Sequence, residues 1–124
     1  MTLEEYKDLF KELVLSAISG IYCKEISSQV FPELNVVRLN LSFESNEAYI
    51  IVDIENATIY ARVLKSPNPV NGSIRGSHQK LQIWMKKVQR RFMLRDFTGW
   101  TSFNLADPNL LAQMTEFFRS ALAE

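Results

Sequence analysis

The residues able to do chemistry are few and scattered. His78 is the single histidine, which excludes a His-ligand zinc cluster and a His–His acid–base pair. It falls at an expected helix start, where the dipole disfavours a charged imidazolium, so its expected role is structural or at the surface. Asp53 and Glu55 stand at i, i+2 on one expected strand face, the spacing of a metal-binding or nuclease-like carboxylate pair. That chemistry wants an acid-x-lysine on the following strand, but ATIYARVLK offers Arg62 and Lys65 and no acid. Cys23 is the single cysteine. It permits no intramolecular disulfide and reads as a small buried hydrophobe near the end of the first helix. Neither G-x-x-x-x-G-K-[ST] nor G-x-G-x-x-G occurs, and Asn71-Gly72, Arg75 and Gly76 make only a basic, glycine-containing loop. No catalytic, cofactor-binding or metal-binding residue is assigned, and no cofactor is expected.

Charge is the stronger signal. Fourteen bases balance fourteen acids over the chain. A global field for polyanions is therefore not expected. The distribution is uneven. Residues 1–60 hold 10 acids and 4 bases, residues 61–95 hold 9 bases and no acid, and residues 96–124 hold 4 acids and 1 base. A basic helix is expected over about 78–95. Its core stripe of Leu81, Met85, Val88 and Phe92 spans only about 60° of the wheel. Lys80, Lys87 and Arg91 share a neighbouring face, with Lys86 and Arg90 further round. Ile83 and Leu94 fall inside that basic sector and Trp84 sits at its edge. A plain solvated face has no need of these apolar residues. Trp and Arg are enriched at interface hot spots. Lys80, Ile83, Trp84, Lys87, Arg90 and Arg91 are accordingly the expected partner-binding residues. The alternative is that the basic run only neutralises the acidic first helix.

The elements that must position these residues are written in the hydrophobic periods. Thr2 and Glu5 form a capping box. Leu3, Tyr6, Phe10, Leu13, Val14, Ala17, Ile18 and Ile21 then recur at helical spacing. Gly20 weakens the pattern, so the helix ends near 19 or runs on to about 24. Pro32 argues for extended or turn structure within 25–34. Strict alternation follows. Val37, Leu39, Leu41 and Phe43, then Ala48, Ile50, Val52 and Ile54, then Ala57, Ile59, Ala61 and Val63 predict three half-buried strands. Two-residue loops at Ser45-Asn46 and Glu55-Asn56 would pair Leu39 with Val52 and Val52 with Ile59, which makes one face wholly apolar in all three strands. The opposite face carries Tyr49, Ile51, Tyr60, Arg62 and Leu64. It is too apolar for a wholly wet surface and is the expected dimer or ligand face.

The prolines and glycines of residues 66–77 mark a long loop. Residues 98–104 form a short fourth strand or an irregular return. Asp107 and Pro108 mark the start of a last amphipathic helix. A chain of 124 residues is expected to make one domain. The predicted fold is a two-layer α+β sandwich: a three-stranded antiparallel meander over about 35–65, covered on its apolar face by the N- and C-terminal helices. The element order resembles the helix-flanked sheets of secretion chaperones and toxin-neutralising proteins, a likeness of order alone.

No stretch approaches 18 apolar residues, so no membrane span is expected. The acidic opening MTLEEYKDLF lacks a signal-type apolar core, and a cytoplasmic protein is expected. The expected function is a non-catalytic binding module of the adaptor, chaperone or inhibitor type. Its partner would be macromolecular, an acidic protein ahead of nucleic acid, with a homodimer as a further expectation. Nucleic-acid binding by the same basic helix is the alternative, and a small hydrolase or nuclease-like enzyme stands behind both.

Overall fold

The computed structural model describes residues 1–65 and 100–123. Helix α1 spans Leu3–Ala17 and begins at the expected capping box. The Thr2 hydroxyl accepts from the Glu5 amide at 3.1 Å, and the Glu5 carboxylate accepts from the Thr2 amide at 2.9 Å. Two of the free donors at the helix start are thereby used. The helix stops at Ala17, ahead of Gly20, whose φ of 90° lies in the left-handed region glycine enters without steric cost.

Five strands follow: β1 Glu25–Phe31, β2 Val36–Ser42, β3 Asn46–Asp53, β4 Thr58–Lys65 and β5 Thr101–Asn104. They form one antiparallel sheet in sequence order. The predicted three-stranded meander is its centre. β1 is an added edge strand, joined to β2 by the short 3-10 turn Pro32–Leu34 and by Asn35 in left-handed backbone. The return expected at 98–104 is the strand β5. A second helix, α2, spans Leu110–Leu122. The N-cap is Asn109 rather than the expected Asp107, and Pro108 precedes the helix instead of opening it; Asp107 braces the turn that leads in. The Asp107 carboxylate accepts from the Asn109 amide at 2.8 Å and from the Gln113 side chain at 2.9 Å. The loop expected at 66–77 and the basic helix expected at 78–95 lie outside the described residues.

The β3–β4 register is the predicted one, with Val52 opposite Ile59 and Ile50 opposite Ala61. The β2–β3 register differs by two residues: Leu39 faces Ile50, and Val37 faces Val52. The cause is the turn. Phe43 donates to the Asn46 carbonyl at 2.8 Å, so the two loop residues are Glu44 and Ser45. Moving a turn centre by one residue slides the register by two. A slide of two keeps every side chain on its face, because the side-chain period is two.

The apolar face is built in cross-strand rows. Val30, Val37, Val52, Ile59 and Phe103 make one row, and Leu39, Ile50 and Ala61 form the centre of the next. Phe10, Val14, Ala17 and Ile18 at and just beyond α1, with Met114 and Phe118 of α2, close over it. Ile50 and Val52 are fully buried, as their central place requires. Truncating Ile50 to Ala should cost about 2–5 kcal/mol, from lost burial and the cavity left behind. Urea denaturation measures it, and a loss below about 1 kcal/mol would place Ile50 outside the core.

Candidate functional site

The opposite face of the sheet is a layer of polar and aromatic groups, and it is buried too. Alternation predicts half-buried strands, yet every residue of β2 from Val36 to Leu41 and of β3 from Glu47 to Asp53 is buried. The buried polar side chains Arg38, Asn40, Glu47 and Asp53 all lie on this second face. Polarity alone implied water; here protein groups replace much of it. Gln29, Arg38, Ile51, Tyr60 and Ser102 form one cross-strand row, and Ser27, Asn40, Tyr49 and Arg62 form the next.

Arg38 organises the β1 side. One Nη donates to the Gln29 side-chain oxygen at 2.6 Å, and the guanidinium stands 5.1 Å from the centre of the Phe31 ring. This cation–π contact gives a buried charge a polarisable partner. Burial lowers the Arg38 pKa from its usual value, but a guanidinium remains protonated at any ordinary pH. On β3 the Tyr49 hydroxyl donates to the Glu47 carboxylate. At the far end Asp53 closes the β3–β4 turn. Its two carboxylate oxygens accept from the Asn56 amide at 3.2 Å and from the Asn56 side chain at 2.7 Å.

These contacts account for several residues with catalytic potential in the sequence. Asp53 is occupied by its own turn. β3 ends at Asp53, so Glu55 is an exposed turn residue rather than its neighbour on a strand face. Cys23 lies beyond α1, in the link to β1, half-buried against the core. Its thiol is within reach of the Glu25 and Ser42 carbonyls at 3.2 and 3.6 Å, and burial raises its pKa. A raised pKa keeps a thiol protonated and unreactive at neutral pH. Among the described residues no group of three or more His, Cys, Asp or Glu could hold a metal ion, and no helix is long and apolar enough to cross a membrane.

The five residues expected to form a dimer or ligand face divide. Ile51 is fully buried and Tyr49 and Tyr60 nearly so, whereas Arg62 is half-buried and Leu64 is 39% exposed. The first three have almost no surface to offer a partner. Lys80, Ile83, Trp84, Lys87, Arg90 and Arg91 lie outside the described residues, as do His78, Arg75 and Gly76.

Sequence reasoning missed an apolar groove of about 480 Å³. It runs between Tyr6, Leu9 and Leu13 of α1, Ile54 of the β3–β4 turn, Leu105 after β5 and Leu110 at the start of α2. The available signal was Leu9, which is absent from the core stripe of its helix and is 50% exposed.

Two measurements test the buried layer. Asn40 is 1% exposed, and among the described residues neither polar atom of its side-chain amide has a hydrogen-bond partner. Asn40→Leu should therefore raise stability by about 1–3 kcal/mol, the desolvation penalty of unpaired polar groups. A loss of stability would mean that the amide is satisfied. The pKa of Tyr60 is raised, first by burial and then by the charge of Asp53. The folded state thus holds this proton more tightly than the unfolded chain. Its contribution is fully present below the ordinary tyrosine pKa of about 10 and is lost as pH rises through the higher folded value. Denaturation midpoints should fall above about pH 10, and Tyr60→Phe should flatten that slope.

No protein-family model, curated protein or solved structure matches this chain.

Proposed function

We propose that the chain is a non-catalytic binding module that engages a macromolecular partner through the basic-aromatic residues Lys80, Ile83, Trp84, Lys87, Arg90 and Arg91. The observation that carries the reading is the run of 35 residues, 61–95, with nine bases and no acid, in which Ile83, Trp84 and Leu94 stand among the charges. Neutralising an acidic helix requires bases but does not require large apolar residues beside them. An acidic protein surface with an apolar centre matches both features: aromatic and Arg side chains supply the energy of such contacts, and complementary charge supplies steering.

The fold supports this reading through the way it anchors the segment. β4 leads into it and β5 leads out, and the two are adjacent antiparallel strands, with Ala61 opposite Thr101. Lys65 at the end of β4 and Thr101 at the start of β5 thus lie toward the same end of one strand pair, and residues 66–100 join them in sequence. A segment held at both ends by a rigid scaffold is where proteins commonly place binding residues.

The test is capture of partners by the full chain, with and without nuclease, beside the double charge reversal Lys87→Glu and Arg91→Glu. The double variant should stay folded by circular dichroism and lose its partner. A folded double variant that retains every wild-type partner would overturn the proposal. Steep loss of binding with salt, together with nuclease sensitivity, would transfer the same residues to nucleic acid, since phosphate contacts release counterions. Trp84→Ala separates hot spot from core. A binding loss of about 2 kcal/mol or more with little loss of stability marks the former, and a stability loss of about 3–5 kcal/mol marks the latter.

A further inference from the structure

We propose that the groove between α1, the β3–β4 turn and the start of α2 is a second docking surface, whose occupant is a basic amphipathic peptide with an apolar stripe. The groove is about 480 Å³, a volume at which small-molecule sites also occur. Small-molecule sites, however, set a few polar groups against the ligand. This lining is apolar side chains throughout, with the Tyr6 hydroxyl as its single polar side-chain group. Its side chains, the Tyr6 hydroxyl apart, offer burial without donors or acceptors, which suits aliphatic and aromatic groups.

Its length suits a helix. From Tyr6 to Leu13 the groove follows two turns of α1, about 10 Å. That accommodates anchors at i, i+3 or i+4, and i+7 of a packed helix. Leu9, half exposed at the lip, is the side chain such a partner would cover.

The rim sets the charge of the occupant. Glu5 lies four residues before Leu9 and Glu12 three after, so both flank it on the helix surface; both are exposed. Exposed Glu55 follows the lining residue Ile54. The α1 lip and the β3–β4 turn thus each carry exposed acids next to lining residues. The two lysines of α1 do not reach this edge. Lys7 and Lys11 sit about 160° round the helix from Leu9, and Lys7 is held by Glu4 at 2.7 Å. An apolar groove bordered by acids selects lysines and arginines flanking an apolar stripe.

The experiment uses the full chain and a fluorescein-labelled 18-residue peptide with leucines at i, i+3, i+4 and i+7 of each helical repeat and lysines elsewhere. Binding is read by anisotropy at low and moderate salt. The control peptide has the same composition in an order that destroys the stripe. Leu9→Gln should weaken binding about fivefold or more, whereas Leu15→Gln, on the same helix but outside the groove, should leave it unchanged. The pair Glu5→Gln and Glu12→Gln should weaken binding and flatten its salt dependence; glutamine at position 5 preserves the capping box. Circular dichroism verifies the fold of each variant. Absence of binding to the wild-type chain, equal binding of the control peptide, or equal effects of the Leu9 and Leu15 changes would overturn the proposal.

Discussion

Ile50 sits between Leu39 on one neighbouring strand and Ala61 on the other, and that row commits the whole sheet. With the period of the side chains fixed at two, this pairing sends Leu39, Leu41, Ile50, Val52, Ile59 and Ala61 to the helices. The same parity sends Arg38, Asn40, Glu47, Tyr49 and Tyr60 to the opposite side. A slip of one residue in β2 would turn Arg38 toward the helices and Leu39 into the polar layer. Burying a charge among apolar side chains costs several kcal/mol, so the wrong parity is excluded by energy on both faces at once. The helices need only to bury their stripes against a surface whose chemistry is already decided.

The second face follows from this. Its polar groups cannot turn to water, so they turn to one another: Arg38 to Gln29 and Phe31, Tyr49 to Glu47, Asp53 to Asn56. Such contacts contribute little net stability, because each partner has first been desolvated. What they supply is selectivity among arrangements, since a buried hydrogen bond works in one geometry only. Asn40, whose amide has no partner among the described residues, marks where that satisfaction is incomplete.

The parts of the fold that were readable in the sequence are those set by period. The alternation from Val37 to Val63 places the three central strands, and T-x-x-E places the start of α1. Two features escaped for physical reasons. β1 carries Ser27, Ser28 and Gln29, so its alternation of Ile26 and Val30 is broken and its edge position needs no continuous apolar face. The β2–β3 turn contains no glycine, and Glu44-Ser45 and Ser45-Asn46 are comparable turn pairs by composition, so its centre could be placed only to within a residue. The polar layer was read as half wet because polarity signals water unless the hydrogen-bonding partners are known. Its aromatic content, Tyr49 and Tyr60 beside Ile51, was the visible hint that it is enclosed. The groove was less accessible still, for it joins α1 to residues 54, 105 and 110, which no local period connects.

The place of β5 bears on how the chain folds. β1 to β4 are joined by short turns, so their pairing closes only small loops and can proceed in microseconds to milliseconds. β5 reaches its partner across forty positions, from Ala61 to Thr101, and α2 comes after it. Loop-closure entropy delays that step. Until it occurs, the apolar face has α1 but lacks Met114 and Phe118, and the edge of β4 stands unpaired. An unpaired strand edge and an open apolar face both favour association between chains, and the pairing of β5 with β4 removes the first while α2 covers the second.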